Sequence, residues 1–240
     1  MTFRSSSPDH PCDARIPRGI ITAAECVLFD FDGPIASLFG NHRAHEVARV
    51  LLRRLSGWGL APLFIDPDDP IQVIRDTAVS LAGSPEHYRV AELERLLGEQ
   101  EIHAARSAVP TDHAYELIEQ LVKRGTKVAV TTNNSAAAVN AYLERAGLAP
   151  FFGSHVHGRL SDPALMKPDP ACLLAGLRST GGAASNSLMI GDSESDFAAA
   201  RAAGVGFLGY ARDDAKDRRL REAGARHVVH SFKCLIDADL

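Results

Sequence analysis

Five short apolar runs constrain the fold of this 240-residue chain more than any other feature: Val27-Leu28-Phe29, Val128-Ala129-Val130, Leu188-Met189-Ile190, Val205 to Leu208, and His227-Val228-Val229. Each is too short for a helix. Helical patterns lie between and after the later runs, over Asp112–Arg124, Ser135–Ala146, Pro170–Ser179, Glu194–Ala203 and Asp214–Ala223. Buried strands alternating with amphipathic helices predict an α/β fold whose parallel sheet is covered on both faces. Gly125, Gly147, Gly204 and Gly224 each follow a helical run, where a left-handed residue is expected to end the helix.

From about Ser37 to Val109 the alternation stops and no strand pattern is found. Helical patterns cover Arg43–Leu55, Pro70–Ala82 and Glu86–Ala105. Turn signals separate them at Gly57-Trp58-Gly59, Asp66-Pro67-Asp68-Asp69-Pro70 and Gly83-Ser84-Pro85. The expected organisation is a flexible extension over 1–24, an α/β core over 25–36 and 110–240, and an inserted helical block over 37–109. Such a block would sit above the C-terminal edge of the sheet, where open α/β folds bind ligands.

Hydrophobic residues make up 45% of the chain and charged residues 23%, and the net charge is −4. A folded globular chain fits these values. There is no basic excess to hold nucleic acid, and no apolar run approaches the roughly 18 residues of a membrane span. Met1–Arg15 is polar and lacks the apolar stretch of a secretory signal, so a cytoplasmic location is expected. Cys12, Cys26, Cys172 and Cys234 are scattered; neither a disulfide framework nor a cysteine zinc site is expected. The oligomeric state is not legible.

Four stretches can carry chemistry. In Asp30-Phe31-Asp32-Gly33, residues two apart on an extended segment point the same way, so two carboxylates leave one strand end together. A divalent cation, or a proton held on one of the two, would relieve their repulsion. A strand-ending Asp turn is the plain alternative. At Thr131-Thr132-Asn133-Asn134, a hydroxyl before a helix N-terminus can donate to an anion; alternatively Thr132, Asn133 or Asn134 only caps the helix. In Lys167-Pro168-Asp169-Pro170, two prolines follow a lysine suited to a transferring phosphoryl group. Asp169 reads as N-cap and Pro170 as the first helical residue, and an exposed lysine there is the alternative. In Gly191-Asp192-Ser193-Glu194-Ser195-Asp196, Asp192 can join an oxygen ligand set for Mg²⁺, whereas Ser193 and Asp196 match a capping box. All four stretches fall at C-terminal ends of strands or in the loops just beyond, and those ends share one edge in a parallel sheet.

D-x-D-G, a strand ending in Thr-Asn, Lys-Pro and G-D-S-x-x-D, in this order from Val27 to the C-terminus, resemble the haloacid dehalogenase-like hydrolase superfamily. The layout is nearest its phosphoglycolate phosphatase-like and β-phosphoglucomutase-like branch. The resemblance implies a Rossmann-like three-layer core with an inserted α-helical cap. It also implies a Mg²⁺-dependent phosphatase acting on a small phosphorylated metabolite through an aspartyl phosphate. Asp30 would be the nucleophile and Asp32 the acid and base. Thr132, Asn133 and Lys167 would hold the phosphoryl group. Asp30, the Asp32 carbonyl and Asp192 would bind Mg²⁺, with Asp196 in support. A phosphomutase of the β-phosphoglucomutase type, or a non-catalytic binding member, are the alternatives. Dehalogenases of the superfamily lack the second aspartate, which Asp32 supplies here. Pro34 and Ser37 depart from the pattern, in the flap leading to the cap.

Other residues carry weaker signals. His42 and His45 share a helix face without a third metal ligand, and Phe39 or Arg43 are further candidates to face substrate from the cap. His155 and His157 alternate along an extended segment, Trp58 is expected to pack, and Arg212–Arg221 reads as a solvated face.

Overall fold

The structure is a computed structural model, and it describes residues 19–61 and 64–236. Its strands are β1 (Cys26–Phe29), β2 (Ala36–Ser37), β3 (Val109–Pro110), β4 (Lys127–Thr131), β5 (Val156–His157), β6 (Ser187–Gly191), β7 (Gly206–Tyr210) and β8 (Val228–Val229). Six of them form one parallel sheet in the order β5-β4-β1-β6-β7-β8. The helices are α1 (Gly19–Thr22), α2 (Ala44–Gly57), α3 (Pro70–Ser80), α4 (Arg89–Ala105), α5 (Ala114–Lys123), α6 (Ala136–Arg145), α7 (Ala149–Phe152), α8 (Ala171–Thr180), α9 (Glu194–Ala203), α10 (Asp214–Ala223) and α11 (Lys233–Ile236). No described helix is long and apolar enough to cross a membrane.

Sheet coverage on both faces explains why the strands read as unbroken apolar runs. Along β1, Val27 and Phe29 join Val128, Val130, Leu188 and Ile190 under α5 and α6. Cys26 and Leu28 face the other way, with Ala129 and Met189, under Leu173, Leu177 and Ala199 of α8 and α9. This period-2 division buries each side chain of β1 completely.

Helices α2, α3 and α4 build a second apolar cluster. Val47, Leu51, Leu55, Val73, Ile74, Val90, Leu93 and Leu97 pack together, and Met166 joins them from the loop below. Each large side chain buried there contributes about 1.5–3 kcal/mol. The helical block thus has its own core, and that core touches the loop carrying Lys167.

Several expectations are corrected. The segment around His155 and His157 supplies a sixth strand, β5, too short to stand out as an apolar run. The 37–109 stretch is not strand-free at its ends: β2 and β3 pair antiparallel, Ala36 with Pro110 and Ser37 with Val109. They tie the two crossings between core and helical block. The fourth run is displaced to Gly206–Tyr210, because Val205 still closes the end of α9 through its N–H to Ala200 O, 2.9 Å. Helix α8 begins at Ala171 rather than Pro170; Asp169 nonetheless accepts from Ala171 N at 2.9 Å. The expected extension over 1–24 does not hold at its end, where α1 buries Ile21 in the main core; residues 1–18 lie outside the described residues. Cys26 and Cys172 are free and buried.

Candidate functional site

Parallel register brings β1, β4 and β6 to a common C-terminal edge: Phe29 stands level with Val130 and Ile190. Asp30 is one residue past β1, Thr132 one past β4 and Asp192 one past β6. The loop before α8 delivers Lys167 to the same place, through a cis Lys167–Pro168 bond.

Lys167 is at the centre. It is 2% exposed, and its Nζ donates to Asp30 Oδ1 at 2.9 Å, Asp196 Oδ1 at 2.5 Å and Thr131 O at 3.0 Å. Burial works against its charge, yet Asp196 and Asp30 hold its pKa above the ordinary lysine range. The exposed-lysine alternative is therefore excluded. Asn133 fixes the Lys167 backbone from both sides: its Oδ1 accepts from Lys167 N at 2.8 Å, and its Nδ2 donates to Lys167 O at 3.1 Å. The Asn133 side chain, expected to hold phosphate, is thus engaged in placing the lysine.

Carboxyl oxygens of Asp30, Asp192 and Asp196 lie within 4.8 Å of one another, a spacing that suits a shared cation. Burial pushes the Asp30 carboxyl above the usual carboxylate range, opposed by Lys167 and reinforced by Asp196. Burial likewise lifts Asp192 to about 7, despite Lys216, with Asp196 and Asp30 adding to the rise. The capping box is present as well: Ser193 Oγ accepts from Asp196 N at 3.2 Å, while Asp196 Oδ2 accepts from Ser193 N at 3.1 Å and Asp192 N at 3.0 Å. One Asp196 oxygen caps α9 and the other meets Lys167, so the two readings of this residue hold together.

Asp32 is placed differently. Its Oδ1 accepts from Leu38 N at 2.8 Å, and its carboxylate is outside the Asp30–Asp192–Asp196 group. Burial raises it to about 6, against the Leu38 bond and with help from Asp30. Thr132 is buried; its hydroxyl accepts from Asn134 N at 3.2 Å and donates to Asn134 Oδ1 at 3.1 Å. The helix cap itself is Ser135, which accepts from Ala138 N at 3.1 Å, so Thr132 is not spent on capping.

Sequence reasoning missed Lys216. It was counted within a solvated face, but N-cap Asp213 starts α10 so that Lys216 N receives the cap and Lys216 Nζ reaches Asp192 Oδ2. It also missed Thr111, whose Oγ1 donates to Gly33 O at 2.5 Å, and Arg75, which donates to Lys167 O. His42 faces His103, with ring centroids 5.3 Å apart, and neither His42 nor His45 belongs to a group of three metal-ligating side chains among the described residues. His155 and His157 both meet Ser179 Oγ, at 3.0 and 2.7 Å. Trp58 packs on the helical core beneath Arg54 and Arg89.

Gly33 has φ +115°, and a Cβ there would stand 2.4 Å from Asp192 Oδ2. Gly33→Ala is therefore expected to push Asp192 aside. The positive φ adds backbone strain to that clash, so the variant is expected to melt below the parent; an unchanged Tm would show that Asp192 and the turn tolerate the methyl group.

A family model described as haloacid dehalogenase-like hydrolase matches residues 24–204. A phosphoglycolate phosphatase of Rhodospirillum rubrum is 31% identical over 228 residues, covering 89% of this chain and 90% of its own. A phosphoglycolate phosphatase of Caulobacter vibrioides is 30% identical over 218 residues, covering 86% of each. In fold, the chain is similar to CbbY from Rhodobacter sphaeroides, solved in complex with phosphate, with a TM-score of 0.64 at 19% identity over 87% of this chain and 95% of that one. Match, coverage and site geometry agree: the chain belongs to the haloacid dehalogenase-like hydrolase family.

Proposed function

We propose that this chain is a Mg²⁺-dependent phosphatase that hydrolyses a small phosphate monoester through an aspartyl phosphate. The observation that carries this reading is the buried Lys167 ammonium joining Asp30 to Asp196 beside Asp192, at the C-terminal edge of a parallel sheet. The two relatives named phosphoglycolate phosphatase make phosphoglycolate the first ester to test.

The residues fit a divalent cation. Asp30, Asp32, Asp192 and Asp196 are met by the ammonium groups of Lys167 and Lys216, so two negative charges remain when all four acids ionise. Asp30, Asp192 and the Asp32 carbonyl would hold Mg²⁺, which supplies positive charge beside the phosphoryl oxygens when bound.

Asp30 carboxylate attacks phosphorus, and the ester oxygen departs with the Asp32 proton. A carboxyl with a pKa of about 6 holds and releases a proton near neutrality, as an acid–base group must. Ionised Asp32 then takes a proton from water as that water attacks the aspartyl phosphate, and inorganic phosphate leaves. Splitting the displacement in two replaces one slow step by two easier ones. Lys167 and Thr132 offset charge on the transferring oxygens. The helical block over 37–109 acts as the cap that selects the ester.

A panel of phosphate esters, assayed for released inorganic phosphate with and without Mg²⁺, tests this reading. Turnover of phosphoglycolate or another small ester is expected only with the metal. Isomerised ester without released phosphate would turn the reading toward a mutase, and no turnover of any ester would turn it toward a binding protein.

Metal linkage gives a second prediction. Asp30, Asp32 and Asp192 have folded-state pKa values above the ordinary 3.8, reaching about 6 and 7 for the latter two. Between the ordinary value and these raised values the folded state binds more protons than the unfolded one, so metal-free stability falls as pH rises. A cation replaces those protons, and its stabilisation must grow over the same window. At a hundred times its Kd, Mg²⁺ adds about 2.7 kcal/mol, or roughly 5–10 °C in Tm for a chain of this size. The Tm rise is expected to be larger at pH 8 than at pH 5; an equal or larger rise at pH 5 would place the cation elsewhere.

A further inference from the structure

Helix α4 sends a fully buried carboxylate into the turn beneath the site. Glu101 accepts from Asn134 Nδ2 at 3.1 Å and from Ser135 N at 3.1 Å. Arg159, just past β5, donates to both Glu101 oxygens, at 2.9 and 3.1 Å, and its side chain is 2% exposed. The same guanidinium donates to Asn133 O at 2.8 Å and to Glu94 Oε2 at 2.5 Å. Arg159 N also donates to Asn134 O at 2.8 Å. Space is tight on this side: a Cβ on Gly158 would lie 2.4 Å from Ala136 N and 2.7 Å from Asn134 O.

The 132–135 turn is therefore held from α4 and from β5 at once, and the bonds continue to the reacting centre. Asn133 carries Lys167 on both backbone atoms, and Lys167 carries its ammonium to Asp30. A buried ion pair is weak evidence for stability, since apolar replacements of like volume are often neutral or better. What such a pair does supply is direction: a bidentate guanidinium fixes its partners in one plane.

We propose that Glu101 and Arg159 are positioning residues, which set the Thr132–Asn133–Asn134 turn and, through Asn133, the Lys167 ammonium, so that the phosphoryl cradle is complete only with α4 seated on the core. The proposal rests on the phosphatase reading. It places the link between the helical block and catalysis in a polar network outside the group of reacting side chains.

The test separates positioning from mere support. Three variants are compared with the parent: Glu101→Gln, Arg159→Met, and the two combined. Each single change leaves a buried charge short of its partner and is expected to lower Tm. The double variant removes both charges of the Glu101–Arg159 pair, and Gln keeps an acceptor for Ser135 N, so its Tm is expected above that of Arg159→Met but below the parent's, because Glu94 still loses its bond to Arg159. Kinetics are measured on p-nitrophenyl phosphate at a temperature where circular dichroism shows each protein folded, together with inhibition by inorganic phosphate. All three variants are expected to lose at least tenfold in kcat, with a parallel weakening of phosphate inhibition. Recovery of kcat and phosphate affinity to within threefold of the parent, in the double variant or in Glu101→Gln, would reduce the network to a structural tie and overturn the proposal. A parent protein that turns over no phosphate ester and is not inhibited by phosphate would overturn the phosphatase reading, and this proposal with it.

Discussion

Asp30→Asn is expected to abolish turnover, by about a thousandfold or more, while the protein stays folded. The amide has the size and shape of the carboxyl, and its oxygen can still accept from Lys167 Nζ, which stands 2.9 Å from Asp30 Oδ1. It cannot form an acyl phosphate. The stability half of the expectation follows from burial, which raises the Asp30 pKa despite Lys167. A raised carboxylate pKa means that the ionised form is penalised in the fold, and the penalty is present above that pKa. Asparagine never ionises. In metal-free buffer at pH 8 the variant should therefore melt at the parent's temperature or above it, the usual sign that a residue is kept for chemistry at the expense of stability. Mg²⁺-dependent phosphate release above one per cent of the parent's would remove Asp30 as the nucleophile. A large fall in Tm would mean instead that the charge itself supports the core.

Much of this arrangement was legible in the residues because one physical pattern governed it. Short apolar runs alternating with amphipathic helices point to buried parallel strands, and parallel register then places Asp30, Thr132 and Asp192 on one edge. The tests of size and period failed where strands were short. Val156–His157 carries only one apolar residue, and the β2–β3 pair has two residues a side; neither offers a period to count. Ser193 and Asp196 were readable because a capping box is local, its two residues three apart. Lys216, Arg75, Glu101 and Arg159 were not. Each acts on a partner far along the chain, and a charged residue on a helix looks the same in sequence whether it faces water or another element. Lys216 illustrates the difficulty: its neighbours Asp214, Asp217 and Arg218 have the composition of a solvated face, and only the packing of α10 turns one lysine of that run toward Asp192.

Lys167→Met should lower kcat and stability together, and pH should divide the two effects. The ammonium makes three bonds, to Asp30, Asp196 and Thr131 O. Methionine fills most of the volume but leaves two carboxylates facing each other without a counter-charge. Loss of one charged donor to the transferring group costs roughly a hundred- to a thousandfold in rate. Removing one partner of a buried ion pair costs about 3–5 kcal/mol, because the other charge stays behind. Here the remaining charge can be discharged by a proton. Without Lys167 the strongest pull lowering the Asp30 pKa is gone and only the Thr132 hydroxyl still opposes burial, so the pKa rises further above its unfolded value, and the stability deficit develops as pH climbs through that window. In metal-free buffer the gap in Tm between parent and variant should be small at pH 5 and wide at pH 8, while the rate deficit persists at both. A gap independent of pH would mean that the three bonds, and not the charge, are what the fold needs. A rate within threefold of the parent's at either pH would leave Lys167 as an anchor for the loop, with some other group neutralising the phosphoryl oxygens.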